Sequence, residues 1–486
     1  AAALVTPAAA DLTWDPAKST WAVDEPFASD DTAFQQDDNV TFGPLTTKDE
    51  TVNLRGALQV GDMVVNAGDD NTYLFSGSGS ITSLGSLTVT SGTAEFDAVE
   101  RLSSSTTGAV AQVEAGAKLK LDYNKDEEEY NLNITLAGSD APGTPAATLE
   151  LASAGYIDDY YLAGSLRMGN GSVLQFGGDE GALYRIDASL TVAEGDTVTL
   201  KNTGYAWDLF LSDPSKVEGT ICLDGNPFWL DLDGAGTYKL KVMSNTGVFL
   251  GGGNVHADIE LSRGREALLV FRNSNTSASL HMESGSTIYA RSSVENATVE
   301  QLTGSGTFVL GSGSLTLEKA DGGADDFTGT IRLEGGEYGV DNLALSLGCY
   351  GDATLTLGAS DVAAQATVEL KEYEYYFGGM KYYFVSSLAL AKGVESATLK
   401  KLTGTQYSRL QAGTYRVTNG GSFAGTPHVG VPLTGGVGRA VDFMGALVAG
   451  AAGAVIVGGG GRSGLDLAPG AGRALWGGRA CGCGPV

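Results

Sequence analysis

Histidine, cysteine and proline are scarce in this chain, with 3, 4 and 12 copies in 486 residues. The three histidines, His256, His281 and His428, are dispersed, so no Ser/His/Asp or Cys/His grouping follows from spacing. Cys222 and Cys349 stand alone, and Cys481 and Cys483 form a C-x-C near the end, which is neither zinc spacing nor a disulfide framework. Isolated buried thiols and a Cys222–Cys349 bridge both remain open for the first pair. Low proline, and glycines that follow no every-third-residue rule, exclude collagen. Basic residues number 30 against 58 acidic ones, a net charge of −28, which repels phosphate backbones and excludes a nucleic-acid partner. No segment before residue 440 is apolar for long enough to span a membrane. Phosphate-loop patterns are also missing: Gly251-Gly-Gly-Asn254 and Gly458-Gly-Gly-Gly461 read as turns or flexible runs.

Glycine is abundant, at 70 residues. Thr, Ser, Val and Leu fill the intervals, a mixture that favours strands punctuated by turns. One pattern recurs: apolar–x–apolar, two small or polar residues, Gly, then a second alternating strand. It reads Leu87-Thr-Val-Thr-Ser-Gly92 and returns before Gly116, Gly171, Gly195, Gly285, Gly313, Gly336 and Gly413. Gly92 and Gly116 lie 24 residues apart, as do Gly171 and Gly195, and larger gaps approach multiples of that unit. The alternation buries one face of each strand. The glycine takes the turn, with positive φ, where other residues pay more. A coil of about 24 residues cannot bury its face alone, so copies must stack. The expected fold is all-β: a right-handed parallel β-helix (β-solenoid). A sandwich or barrel of antiparallel hairpins is the competing arrangement.

The repeat resembles the autotransporter-associated β-strand repeat of bacterial surface passengers. The best match is Leu302-Thr-Gly-Ser-Gly-Thr-Phe-Val-Leu-Gly-Ser-Gly-Ser-Leu-Thr-Leu317, followed by Asp326-Phe-Thr-Gly-Thr-Ile-Arg-Leu-Glu-Gly-Gly336; Gly77–Val89 looks like a second copy. Trp14, Asp15, Trp21 and Asp37-Asp-Asn-Val-Thr-Phe-Gly43 are similar to the opening segment of such passengers, which covers the first rung. The resemblance implies the passenger fold and export. It implies no export route, because the alternating strands of a membrane β-barrel do not follow the repeats in the sequence given.

Four segments are expected. Residues 1–10 read as a signal-peptide remnant, 11–45 as an N-terminal capping segment, and 46–425 as a solenoid of degenerate repeats of about 24 residues. Residues 426–486 read as a Gly/Ala/Arg-rich disordered tail, with a surface or membrane anchor as the functional alternative. No catalytic, cofactor or metal residue is assigned. The acidic run Asp122–Glu129 reads as a solvated loop, not a calcium site, and Asp231-Leu-Asp233-Gly234 as a turn. The unusual segment is Lys371-Glu-Tyr-Glu-Tyr-Tyr-Phe-Gly-Gly-Met-Lys-Tyr-Tyr-Phe384, expected as a hairpin about Gly378-Gly379. If the chain has a binding patch, it is Tyr373, Tyr375, Tyr376, Tyr382 and Tyr383. The functional expectation is a non-catalytic, monomeric, secreted or bacterial cell-surface passenger with adhesin-like contacts to a host or matrix glycan or a surface protein. The alternative is a β-helix polysaccharide lyase or glycosidase, which needs paired carboxylates across a groove.

Overall fold

In the computed structural model the described residues are 9–435, except 47–48, 98–108, 124–128, 141–142, 154–159, 179–182, 205–207, 274, 295–296, 320–326, 335–337, 341–344, 348–351, 372, 378–379, 406–407, 412, 420, 424–425 and 428–432. Gly336 at the end of its repeat copy, residues 1–8, the centre of the acidic run, Cys349, His428 and nearly all of the tail therefore lie outside them. Every described secondary-structure element is a strand. Among the described residues no helix is long and apolar enough to cross a membrane.

The strands form a parallel β-solenoid. Two long parallel sheets run through it. The first begins at Asp11–Thr13, which pairs with Asn39–Phe42 and then Ala57–Asn66. The second begins at Thr20–Trp21, which pairs with Asp49–Leu54 and then Thr72–Gly77. The strand Thr307–Leu317 turns a corner and pairs in both, which is how the two ladders merge into one 35-stranded sheet. In-register partners repeat the expected spacing: Met63 pairs with Leu87, and Leu87 with Ala111. The period also stretches and shrinks. Leu230 pairs with Val248, a short coil, whereas Val368 pairs with Leu402.

The repeat glycine now has a structural reason. In Ala193-Glu-Gly-Asp196 the Asp196 amide donates to the Ala193 carbonyl at 3.1 Å, and Gly195 sits at φ +86°. That is a type II turn, whose third position requires positive φ. The same turn closes at Glu114–Ala117, Gly169–Ser172, Ser262–Arg265, Glu283–Ser286 and Ala391–Val394, each with a glycine third. The expected positive φ holds at Gly92, Gly116, Gly171, Gly195, Gly285, Gly313 and Gly413.

Inside the stack one apolar column runs from Leu12 to Phe423. Strands such as Thr197–Asn202 bury every second residue, as the alternation predicts. At the N-terminal end Trp14, Trp21, Phe27, Phe34 and Phe42 pack together, with Trp21 and Phe34 rings edge to face at 5.4 Å. The ring stack continues inward, with Phe75 on Phe96 at 4.9 Å. Such pairs add about 0.5–1.5 kcal/mol each beyond the area they bury. Asp38, almost fully buried here, accepts from the Ala10 and Gln35 amides at 2.7 and 2.8 Å and ties the first coil to the turn that follows it.

A Cβ at Gly195 meets nothing within 4 Å, so Gly195→Ala isolates the cost of backbone conformation. We expect a loss of about 1–2 kcal/mol, against about 2–5 kcal/mol for the fully buried Leu200→Ala. Equilibrium denaturation of both variants checks the order; equal losses would remove the turn from the explanation of the repeat.

Candidate functional site

Three features interrupt the regular stack. The first is the tyrosine segment. Tyr373–Phe377 and Met380–Phe384 form an antiparallel ribbon, as expected, with Tyr375 opposite Tyr382, Tyr373 opposite Phe384, Tyr376 opposite Lys381 and Glu374 opposite Tyr383. The turn glycines lie outside the described residues. The ribbon is an insertion between a strand of the first sheet, Thr367–Lys371, and one of the second, Ser386–Leu390. A second antiparallel ribbon, Tyr338–Val340 with Leu345–Leu347, is inserted between Thr330–Glu334 and Ala353–Leu357. Thr330–Glu334 pairs with Thr367–Lys371, and Ala353–Leu357 with Ser386–Leu390, so both ribbons leave at the same corner of successive coils.

The base of the tyrosine ribbon is pinned. The Ser386 hydroxyl donates to the carbonyls of Leu333, at 2.9 Å, and Lys371. The Val385 amide donates to the Asp352 carboxylate at 2.7 Å, and its carbonyl accepts from the Ala353 amide. These bonds join the exit of one ribbon to the exit of the other.

The second feature lies on the outer side of the second sheet. Strands Gly236–Val242, Val255–Leu261, Ser277–Met282 and Ala297–Gly304 align polar residues in columns. Lys239, Asp258, Ser279 and Gln301 form one; Lys241, Glu260, His281 and Thr303 form the next. They line an open groove of about 260 Å³. The Lys241 ammonium pairs with Glu260 at 2.7 Å, and His281 hydrogen-bonds Thr303 at 2.9 Å. His256, at the groove's side, has Ser277 Oγ 2.7 Å from Nδ1 and Ser279 Oγ 3.4 Å from Nε2. Glu300 approaches Nδ1 at 3.5 Å and Asp258 approaches Nε2 at 4.0 Å. His281 is exposed, and nothing in its spacing from the other histidines marks it as part of a group. The grouping about His256 does not follow from the sequence, because Ser277, Ser279 and Glu300 each sit more than 20 residues from it. The signal was available: the repeat period that stacks apolar residues also stacks polar ones.

The third feature is on the outer side of the first sheet. There Trp229, Phe249, Leu268 and Val270 form a separate buried cluster. Trp229 lies over Gly247, where a Cβ would sit 1.9 Å from the indole, and packs on Phe249 at 4.4 Å. Arg272 covers Phe249 at 3.7 Å and pairs with Asp231 at 2.7 Å. Asp231, read from sequence as part of a turn, is instead a strand residue and an ion-pair partner. Asp208, in register with Trp229, is lifted to about 6 by burial and by the nearby Asp231 charge, against the pull of Arg272. Burial lifts Asp231 as well. The buried Cys222 has no disulfide partner among the described residues, Cys349 lying outside them, and burial raises its thiol. Among the described residues no group of three or more His, Cys, Asp or Glu could hold a metal ion.

No protein-family profile, curated protein or solved structure matches this chain.

Asp208 gives a pH test. Its folded form holds a proton more tightly than the unfolded chain does. The resulting stability is complete below the ordinary carboxylate value of about 4 and is lost as pH rises through about 6. Asp208→Asn should therefore gain about 1–2 kcal/mol over wild type at pH 7.5 and little at pH 4. A pH-independent difference between the two denaturation curves would remove the assigned coupling.

Proposed function

We propose that this protein is a secreted or bacterial cell-surface rod of the autotransporter-passenger kind. It acts as a monomer that displays a binding surface toward a host or matrix glycan or a surface protein and leaves the glycan chain uncut. The observation that carries the reading is the pair of ribbons inserted at one corner of an otherwise parallel stack. An insertion that adds no rung costs chain entropy and contributes nothing to the core column. Such excursions on a rigid scaffold are where binding residues concentrate. The pinned base at Val385 and Ser386 holds the ribbon's root, which lowers the ordering cost on binding. Tyrosine suits the task, because it offers a large flat face and a polar tip with few rotatable bonds. The resemblance at Leu302–Leu317 and at the aromatic opening segment supports export, and net charge −28 favours solubility of a long sheet protein.

A second reading, a β-helix polysaccharide lyase or glycosidase, is favoured by one observation. Asp208 and Asp231 interact on the outer face of the first sheet beside Arg272, and Asp208 keeps its proton to about pH 6. A retained proton is what a general acid needs.

A glycan array probed with the full chain, paired with a screen for shortened oligosaccharides, separates the two. Binding without chain cleavage is expected, with Tyr375→Ser/Tyr382→Ser weakening it about tenfold, two aromatic contacts' worth. Cleavage that disappears in Asp208→Asn would replace the first reading with the second. No binding to any glycan or matrix protein would sink the first.

A further inference from the structure

We propose that the polar face of the second sheet carries an acyl-ester-cleaving centre, with Ser279 as nucleophile, His256 as general base and Glu300 as the residue that positions the imidazole. Three observations meet there. The Ser279 hydroxyl lies 3.4 Å from His256 Nε2, within the loose range of an unoccupied nucleophile–base pair. The nearer of the two carboxylates is on the opposite ring nitrogen: Glu300 is 3.5 Å from Nδ1, whereas Asp258 is 4.0 Å from Nε2. Glu300, with the Ser277 hydroxyl at 2.7 Å, therefore holds the proton on Nδ1 and leaves Nε2 to accept from Ser279.

Glu300 reaches His256 because the sheet is irregular at that point. Ala278 pairs with Val299 but Ser279 pairs with Gln301, so Glu300 is an extra residue bulged out of the ladder. In regular pairing it would stack on its register neighbour. The bulge re-aims it past Ser277 to a ring two strands away, the use to which bulges beside reactive groups are put.

The third observation is the groove. Ser279 lines its wall, with Gln301 on the next coil and Lys239 two coils back in the same column. The Gln301 side-chain amide carries a donor for the oxyanion that forms when a carbonyl is attacked at Ser279, whereas the Lys239 ammonium is turned to the Glu218 carbonyl at 3.5 Å. The cavity, about 260 Å³ and open along the sheet, suits a short acyl group projecting from a polymer lying on the rod. The substrate class is a short-chain ester of a polysaccharide hydroxyl.

The chemistry balances with water as the co-reactant. Ser279 Oγ bonds to the ester carbonyl carbon as its proton passes to His256 Nε2. Collapse breaks the bond to the sugar oxygen, which leaves with that proton as the free hydroxyl. Water, deprotonated by His256 Nε2, then attacks the acyl-Ser279 carbonyl; Oγ departs and regains the proton, and the carboxylic acid is released. The glycan chain itself stays intact, so this activity goes beyond the display role and does not depend on it.

The test uses the full chain with a fluorophosphonate probe, the adduct mapped by peptide mass spectrometry, and p-nitrophenyl acetate turnover in parallel. The expected adduct is on Ser279. His256→Ala should slow both readouts by about 10²-fold or more, and Ser279→Ala should abolish them. Glu300→Gln should cost at least about tenfold, with partial rescue by Glu300→Asp, while Thr199→Ala on the same face keeps the wild-type rate. Wild-type chain that gives no Ser279 adduct, or labels equally fast with His256→Ala, overturns the proposal. Glycan binding is read separately, so loss of binding with labelling intact counts against the display role alone.

Discussion

The structure depends on parallel, in-register pairing between successive coils. Each interior strand finds its backbone partners only in the coil before and the coil after, at about 4.8 Å. Its inward side chains then fall into columns that no single coil could bury. Leu119, Leu149 and Leu174 are one such run, each fully buried and each the register partner of the next. A solenoid of this kind is a one-dimensional solid, whose stability is a sum of coil and interface terms with weak points at the ends. The aromatic packing of Trp14, Trp21, Phe27 and Phe34 meets that weakness at the first described coil, where, among the described residues, Asp11–Thr13 and Thr20–Trp21 each pair with one neighbouring strand.

Coil length is free to vary because the constraint acts on strands and not on connections. The step from Leu230 to Val248 is tight, and the step from Val368 to Leu402 carries a whole ribbon, yet both keep their columns. Only the turns that recur at the end of a strand are held to one geometry. There the third residue is forced to positive φ, and glycine fills it at Gly116, Gly195, Gly264, Gly285 and Gly393. The same freedom explains why the Gly116-to-Gly171 interval is no clean multiple of the period. Leu119 to Leu149 and Leu149 to Leu174 are two coils of unequal length.

The fold was legible in the sequence because both of its determinants are local. Alternation within a strand and a glycine at a fixed offset can be read at Leu190–Leu200 without knowing what lies above or below. The tyrosine ribbon was legible for the same reason, since two aromatic runs about a Gly-Gly pair are a local signal. What stayed hidden was lateral. His256, Ser277 and Glu300 belong to three coils, and their meeting depends on a register that includes a bulge at Glu300. The outer aromatic cluster was hidden in another way. Trp229 and Phe249 break the one-face-buried rule, and only the register of Trp229 with Gly247 makes room for the indole.

A stack that converts sequence period into spatial adjacency applies it to polar residues without distinction. Inside, the result is the apolar column; outside, it is a lattice of side chains one rung apart, such as Lys239, Asp258, Ser279 and Gln301. Part of that lattice pairs with itself, as Lys241 does with Glu260 at 2.7 Å, and a pair so open to solvent contributes little to stability. A new function on this scaffold therefore requires a local departure from regular stacking and no redesign of the core. An antiparallel ribbon is inserted between two coils, a glycine seats a tryptophan on the outer face, and a bulge turns one carboxylate toward a histidine. Each departure costs one or two coils' worth of regularity, and the coils beyond it restore the register. This is why a featureless repeat can carry three chemically distinct surfaces without losing the column that holds it together.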